Sequence, residues 1–368
     1  MGESPNSYAI SMTHNTDPSA SPAPTFAFVC CAYGAEQPVK DAITTQGWRL
    51  AFSRPGFVTA KHDDQIAAPE GVFVRTSSLS IGQARGGDGN EMIDSLLQQI
   101  DERYPSEFRF DQLHVWPKDR AAIGRFGFEP GVDEVSKAVG EEIYRRLAAD
   151  RLRCDAVNRV AQPGESILDV VLVEPSHWFF GTHKAQTWPT RWPGGVQPID
   201  LAEPPVSRAY YKAAESIQWS GFDIHRGDIA AEIGAAPGGA CQRLLELGLK
   251  VMGIDPAEMD PQIAEHPNFR YVQARADDLP RREYSGVKWI LVDSTVKPEQ
   301  TLTTVGKIVT HRNSDVRGLL ITMKLGDYQA AKKIDTWIDK VQSWNPVEIR
   351  VRQLARNRCE VCFAVRMV

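Results

Sequence analysis

The sequence predicts an α/β fold, a doubly wound and mostly parallel sheet in its C-terminal half, preceded by small α+β modules. Three observations predict it. From residue 206 onward, short apolar runs alternate with helical segments, the pattern of parallel strands joined by right-handed crossovers. A glycine-rich turn, Gly234-Ala-Ala-Pro-Gly-Gly239, joins the first of these runs to a helix, at the corner where doubly wound sheets place ligands. Before residue 206 helices and strands follow one another in smaller groups, and a Pro- and Trp-rich stretch, 188–205, reads as the linker.

Residues 1–25 are rich in Ser, Pro, Asn and Thr and read as a disordered tail. In a first module, 26–80, Phe26-Ala-Phe-Val-Cys-Cys-Ala-Tyr is a strand, 36–46 a helix, and 48–52 and 56–61 two further strands. A second module, 81–187, opens on the Gly-rich stretch 82–89. It continues with an amphipathic helix at 91–103, a strand at 113–116, a helix at 132–147, and strands at 167–173 and 177–182. The third unit, 206–368, begins with a helix at 207–219 and a strand at 228–233, then a helix at 241–247. Strands are expected at 251–255, 270–274, 289–293 and 318–323, and a helix at 328–343. Two late strands, 347–353 and 360–366, give the sheet an antiparallel edge.

Composition excludes several classes. The net charge of -5 gives no overall attraction to nucleic acid, so any RNA contact needs local basic patches. Arg350, Arg352, Arg356 and Arg358 form one such segment and Arg145, Arg146, Arg151 and Arg153 another; either is equally a solvated charged face. Trp178, Phe179 and Phe180 offer base-stacking surface, with burial in a core the better reading. The six cysteines are scattered, and Cys359-Glu-Val-Cys362 reads as strand, so no metal site is expected. No signal peptide and no long apolar span is evident, which predicts a cytoplasmic protein with no membrane partner. Oligomeric state is left open.

The glycine turn differs in spacing from the dinucleotide-binding G-x-G-x-x-G, and Glu232 puts a carboxylate where a pyrophosphate would lie. A cationic ligand without phosphate, S-adenosylmethionine, suits Glu232, Gly234, Ala235, Ala236, Pro237, Gly238 and Gly239 better; the plainer reading is an ordinary strand-to-helix turn. Asp255 and Asp277 end successive strands, where they can meet a ribose diol and an adenine amino group, or simply cap turns. Lys212, Asp293, Lys324 and Glu360 are expected on the same rim, because parallel strands bring their carboxyl ends together and an antiparallel last strand returns its amino end there.

Ser207-Arg-Ala-Tyr-Tyr-Lys212, Glu232-Ile-Gly-Ala-Ala-Pro-Gly-Gly239, Trp289-Ile-Leu-Val-Asp293-Ser-Thr-Val-Lys-Pro298, Met323-Lys324-Leu and Arg358-Cys-Glu360-Val resemble the FtsJ-type RNA ribose 2′-O-methyltransferases. The resemblance runs over 205–368, with Glu232 where Asp is more usual and Ala240 where Trp is common. It implies a Rossmann-like S-adenosylmethionine-dependent methyltransferase domain and a Lys-Asp-Lys-Glu catalytic set at Lys212, Asp293, Lys324 and Glu360, with Asp293 also at the cofactor. It implies as substrate a cytidine ribose of large-subunit (23S) ribosomal RNA, and a front half like the ferredoxin-like and THUMP RNA-binding domains.

A ribose hydroxyl needs a base and alignment with the sulfonium methyl. Lys324 is expected as that base, with Lys212 depressing its pKa while Asp293 and Glu360 orient the amines and oppose that depression, so the sign of the shift stays open. Cytosine C5 methylation would need a nucleophilic Cys after Pro, and neither Cys241 nor Cys359 follows one. The competing expectations are an inactive RNA-binding or ribosome-assembly factor, and a methyltransferase for another RNA or a small hydroxylated molecule.

Overall fold

The computed structural model describes residues 25–199, 201 and 204–368. The expected tail therefore lies outside the described residues except for Thr25, as do three positions of the expected linker.

The front half contains β1 (Thr25–Cys30), α1 (Glu36–Thr45), β2 (Arg49–Arg54), β3 (Phe57–His62), β4 (Thr76–Arg85), α2 (Gly89–Arg103), β5 (Gln112–Pro117), α3 (Glu134–Arg151), β6 (Ser166–Glu174) and β7 (His177–Lys184). Its strands make one sheet of order β2-β3-β1-β4-β7-β6-β5. The expected module boundary at 80/81 falls inside β4, which hydrogen-bonds to β1 on one edge and β7 on the other. Both expected modules thus share one sheet. Helix α2 starts where Asp88 accepts hydrogen bonds from the Asn90 and Glu91 N–H groups, and buries Met92, Ile93, Leu96 and Ile100 at helical spacing. With α1 and α3 it covers one face; the other buries Phe28, Phe57, Trp116, Val171 and Phe179.

After a short α4 (Trp188–Arg191) come α5 (Ala209–Ser220), β8 (Ile229–Ile233), α6 (Gly239–Glu246), β9 (Lys250–Ile254), α7 (Pro261–Ala264), β10 (Phe269–Val272), β11 (Trp289–Val292), α8 (Pro298–Val309), β12 (Gly318–Lys324), α9 (Ile334–Gln342), β13 (Glu348–Arg352) and β14 (Glu360–Arg366). The sheet order is β10-β9-β8-β11-β12-β14-β13, parallel from β10 to β12 and antiparallel at β14. Helices cover both faces, so β11 and most of β9 and β12 are apolar runs, while β8 carries one buried carboxylate, Glu232. This is the Rossmann-like α/β fold expected. A 3₁₀ stretch over Tyr328–Lys333 replaces the first half of the helix expected at 328–343.

The halves are fastened together. Gln353 N–H donates to Val72 C=O at 2.8 Å and the Arg352 guanidinium to Arg75 C=O at 2.6 Å. Arg208, just before α5, pairs with Glu129 through contacts of 2.7 and 3.1 Å.

Candidate active site

The second sheet brings Lys212, Asp293, Lys324 and Glu360 together. Lys212 is on the first turn of α5, whose start lies so near α6 that a Cβ on Gly239 would sit 2.3 Å from Ser207 Oγ. Asp293 follows β11, Lys324 ends β12, and Glu360 opens β14 as the direct register partner of Lys324. Their charges close a ring. Lys212 Nζ lies 2.6 Å from Asp293 Oδ2 and 2.9 Å from Glu360 Oε2; Lys324 Nζ lies 2.6 Å from Asp293 Oδ1 and 2.5 Å from Glu360 Oε1. Every carboxylate oxygen has one amine and every amine two carboxylates.

Burial alone would lower the pKa of Lys324, but Asp293 and Glu360 outweigh it and hold the amine above the usual lysine range. The sign of the shift, which the sequence leaves open between Lys212 and the two carboxylates, is thus upward, because both carboxylates are in direct contact with Lys324. Burial would raise Asp293, yet Lys212 and Lys324 bring it below the usual aspartate range. Lys324 keeps the most solvent contact, its side chain 29% exposed against 8% for Glu360.

Two residues that the sequence reading passed over support the ring. Asn357, buried, donates to Glu360 Oε2 at 3.3 Å and accepts from Leu354 N–H. Glu215, one turn beyond Lys212 on α5, accepts from the Ala355 and Arg356 N–H groups at 2.8 and 3.1 Å, fixing the loop before Glu360 to the helix that carries Lys212. A carboxylate on an otherwise buried helix face was its legible sign.

Beside the ring a cavity of about 710 Å³ is lined by Gly234, Ala236, Asp255, Asp277 and Asp293. Asp255 accepts from Ala236 N–H and Ala257 N–H, so it also shapes the turn. Asp277 is held below the usual aspartate range chiefly by the Thr304 hydroxyl, and Gln300 adds to this. Gly234 needs its positive φ of 86°, and a Cβ there would meet Asp293 C=O at 2.6 Å. Ala235, Pro237, Gly238 and Gly239 form the turn without lining the cavity; a Cβ on Gly238 would strike Ile263.

Glu232 departs from its expected place. Strand alternation turns it, like Ala230, toward α5 and α6, and it lines a separate void of about 20 Å³ with Lys212, Ser216, Asp293 and Thr322. Burial, with Asp293 nearby, raises its pKa well above the carboxylate range.

The expected basic patches are mostly consumed inside the fold. Arg350 binds the Trp219 and Ser220 carbonyls, Arg352 that of Arg75, and Arg356 that of Gln197; only Arg358 of this set is exposed. Arg145, Arg146, Arg151 and Arg153 pair with Glu142, Asp94, Asp101 and Asp111. Trp178, Phe179 and Phe180 are buried, as preferred.

Residues 205–336 match the family model of the FtsJ-like methyltransferases. Among curated proteins, the chain is 25% identical to one from Azoarcus sp. (strain BH72), over 85% of this chain and 94% of that one. It is 24% identical to one from Laribacter hongkongensis, over 83% and 84% of the two chains. An alignment at 24% identity with a protein from Idiomarina loihiensis covers 54% of this chain and 56% of that one. All three are named ribosomal RNA large subunit methyltransferase M. Residues 205–336, which contribute Lys212, Asp293 and Lys324 to the ring and line the neighbouring cavity, are an FtsJ-like methyltransferase domain.

Proposed function

We propose that this chain is an S-adenosylmethionine-dependent RNA 2′-O-methyltransferase acting in the cytoplasm on large-subunit (23S) ribosomal RNA, at a cytidine ribose. The observation that carries the reading is the closed ring of two lysines and two carboxylates at the mouth of the cavity. The large-subunit RNA substrate follows the relatives' name.

The cavity fits the cofactor by its donor set: Asp255 and Asp293 at the ends of β9 and β11, Asp277 in the 3₁₀ turn after β10, and a glycine turn. Asp255 would hold the ribose hydroxyls, Asp277 the adenine amine and Asp293 the ammonium. S-adenosylmethionine bound there supplies an electrophilic methyl group. The chain's own residues supply alignment and proton transfer. In the resting ring Lys324 is an ammonium and cannot accept a proton. A ribose 2′-hydroxyl entering between Lys324 and Glu360 takes over a carboxylate contact, weakens the charge that holds the Lys324 proton, and lets Nζ release it through its solvent-facing side. The free amine then accepts the hydroxyl proton as the oxygen attacks. Lys212, still paired, faces the developing negative charge.

An inactive assembly factor has no use for four contacts of 2.5–2.9 Å among these side chains. The test is a map of 2′-O-methyl sites in cellular RNA with and without the gene. One large-subunit cytidine should lose its mark and regain it with the wild-type gene but not with Lys324→Ala. Loss of a site in another RNA, or of none, would overturn the assignment.

A further inference from the structure

We infer that the loop 120–128 of the front half is a stacking finger for an unpaired RNA base beside the ring, with Phe126 as the stacking residue and Arg125 and Arg358 as phosphate contacts. This rests on the reading of the substrate as RNA. A single exposed phenylalanine is unremarkable on a protein surface. Phe126 is 88% exposed, however, and also holds a left-handed backbone conformation, φ 53° and ψ 31°. That conformation is unfavourable for a non-glycine residue, and residues so held gather at ligand-binding sites. The Arg125 guanidinium lies 4.9 Å from the Phe126 ring centroid.

Charge and position set the ligand. Arg120, Arg125 and Arg358 are exposed, and among the described residues none has a carboxylate partner, unlike Arg145, Arg146, Arg151 and Arg153. Arg358 bridges the finger to the chemistry. Its guanidinium rests on Gly124, where a Cβ would come within 2.5 Å of it, and it precedes Glu360 by two residues. Glu129, just after the finger, pairs with Arg208 at the start of the helix that carries Lys212. The loop is thus tied to the segments bearing two of the four ring residues. An aromatic face with free guanidinium groups matches a base and its flanking phosphates, because every base offers a π face and Arg suits phosphate.

The experiment measures methyl transfer by the full chain to transcribed 23S ribosomal RNA and anisotropy binding of a single-stranded oligocytidylate. Phe126→Ala should raise the RNA KM roughly five- to a hundredfold, far more than it alters kcat, with S-adenosylmethionine affinity unchanged. Phe126→Trp should restore KM and Phe126→Leu should not. Arg125→Ala and Arg358→Ala should each flatten the salt dependence of RNA binding by about 0.7 in log–log slope. Wild-type transfer with an unchanged KM in Phe126→Ala would overturn the finger and leave the RNA reading intact. A wild type that neither binds nor methylates RNA would overturn both.

Discussion

The front half and the catalytic half each bury an ionic group, and the two are built to opposite ends. Arg75 and Asp119 form a sealed pair in the front half, with contacts of 2.9 and 2.7 Å and side chains 4% and 1% exposed. The Lys-Asp-Lys-Glu ring has equally short contacts but stands open at Lys324 and beside a cavity. A sealed pair can only hold the chain in place, because losing either partner strands a charge. In the open ring a hydroxyl can replace one contact without stranding anything. The contrast separates structure from function more reliably than burial or pairing does.

The strongest way to break this contrast is to remove one charge from each group. Lys324→Ala should lower methyl transfer by about 10²–10⁴-fold while the thermal midpoint and calorimetric affinity for S-adenosylmethionine stay near wild type. A variant that loses stability and keeps its rate would make the ring a structural device. Asp119→Ala should do the reverse, costing about 3–5 kcal/mol in urea unfolding because Arg75 is left charged and buried. Turnover per folded molecule should survive.

A third group, Asp228, sharpens the sealed side. It accepts from Trp289 Nε1 at 2.8 Å and Lys288 Nζ at 3.0 Å. Burial would raise its pKa, but these bonds and one from the backbone of His225 bring it down to about 2. A carboxyl lowered on folding stabilises the fold above its ordinary value near 4, and that contribution disappears as pH falls through about 2. Asp228→Asn should therefore cost on the order of 2 kcal/mol at pH 7 and little at pH 2, as urea midpoints at the two pH values would show.

The smallest effect probes the open ring. Because the carboxylates hold Lys324 protonated, the transfer rate should climb with pH on the alkaline side. Glu360→Gln removes one of them, so that limb should move to lower pH even as the maximum rate falls. A limb that stays put would take Lys324 out of proton transfer.

Much of the catalytic half was legible because parallel strands announce themselves. Trp289-Ile-Leu-Val and Leu319-Leu-Ile are continuous apolar runs, and their ends fix where Asp293 and Lys324 must lie. The antiparallel return of Glu360 follows from the pairing of the last two strands. Helix α8 escaped notice, since Thr301, Thr303, Thr304 and Gly306 are weak helix formers. It forms because β11 and β12 are parallel and need a crossover, and because Leu302, Val305 and Ile308 bury one face. Strand β4 was hidden in the same way: Ser77, Ser78, Ser80 and Gly82 lack β-sheet character, and long-range partners such as Asp169, which accepts from Ser78 Oγ at 2.5 Å, supply what propensity does not. Glu232 was misplaced for a different reason. A motif identifies a turn but not which face of its strand a side chain meets, and one residue of register separates the cavity from the helix layer.

The most direct measurement is the chemistry of the product. The purified chain, transcribed 23S ribosomal RNA and methyl-tritiated S-adenosylmethionine would be incubated together and the RNA hydrolysed in alkali. A 2′-O-methyl group blocks attack of that oxygen on the adjacent phosphate, so the account predicts tritium in an alkali-resistant dinucleotide with methylcytidine at its 5′ side. Tritium in alkali-labile mononucleotides, the mark of base methylation, or no incorporation at all, would contradict it.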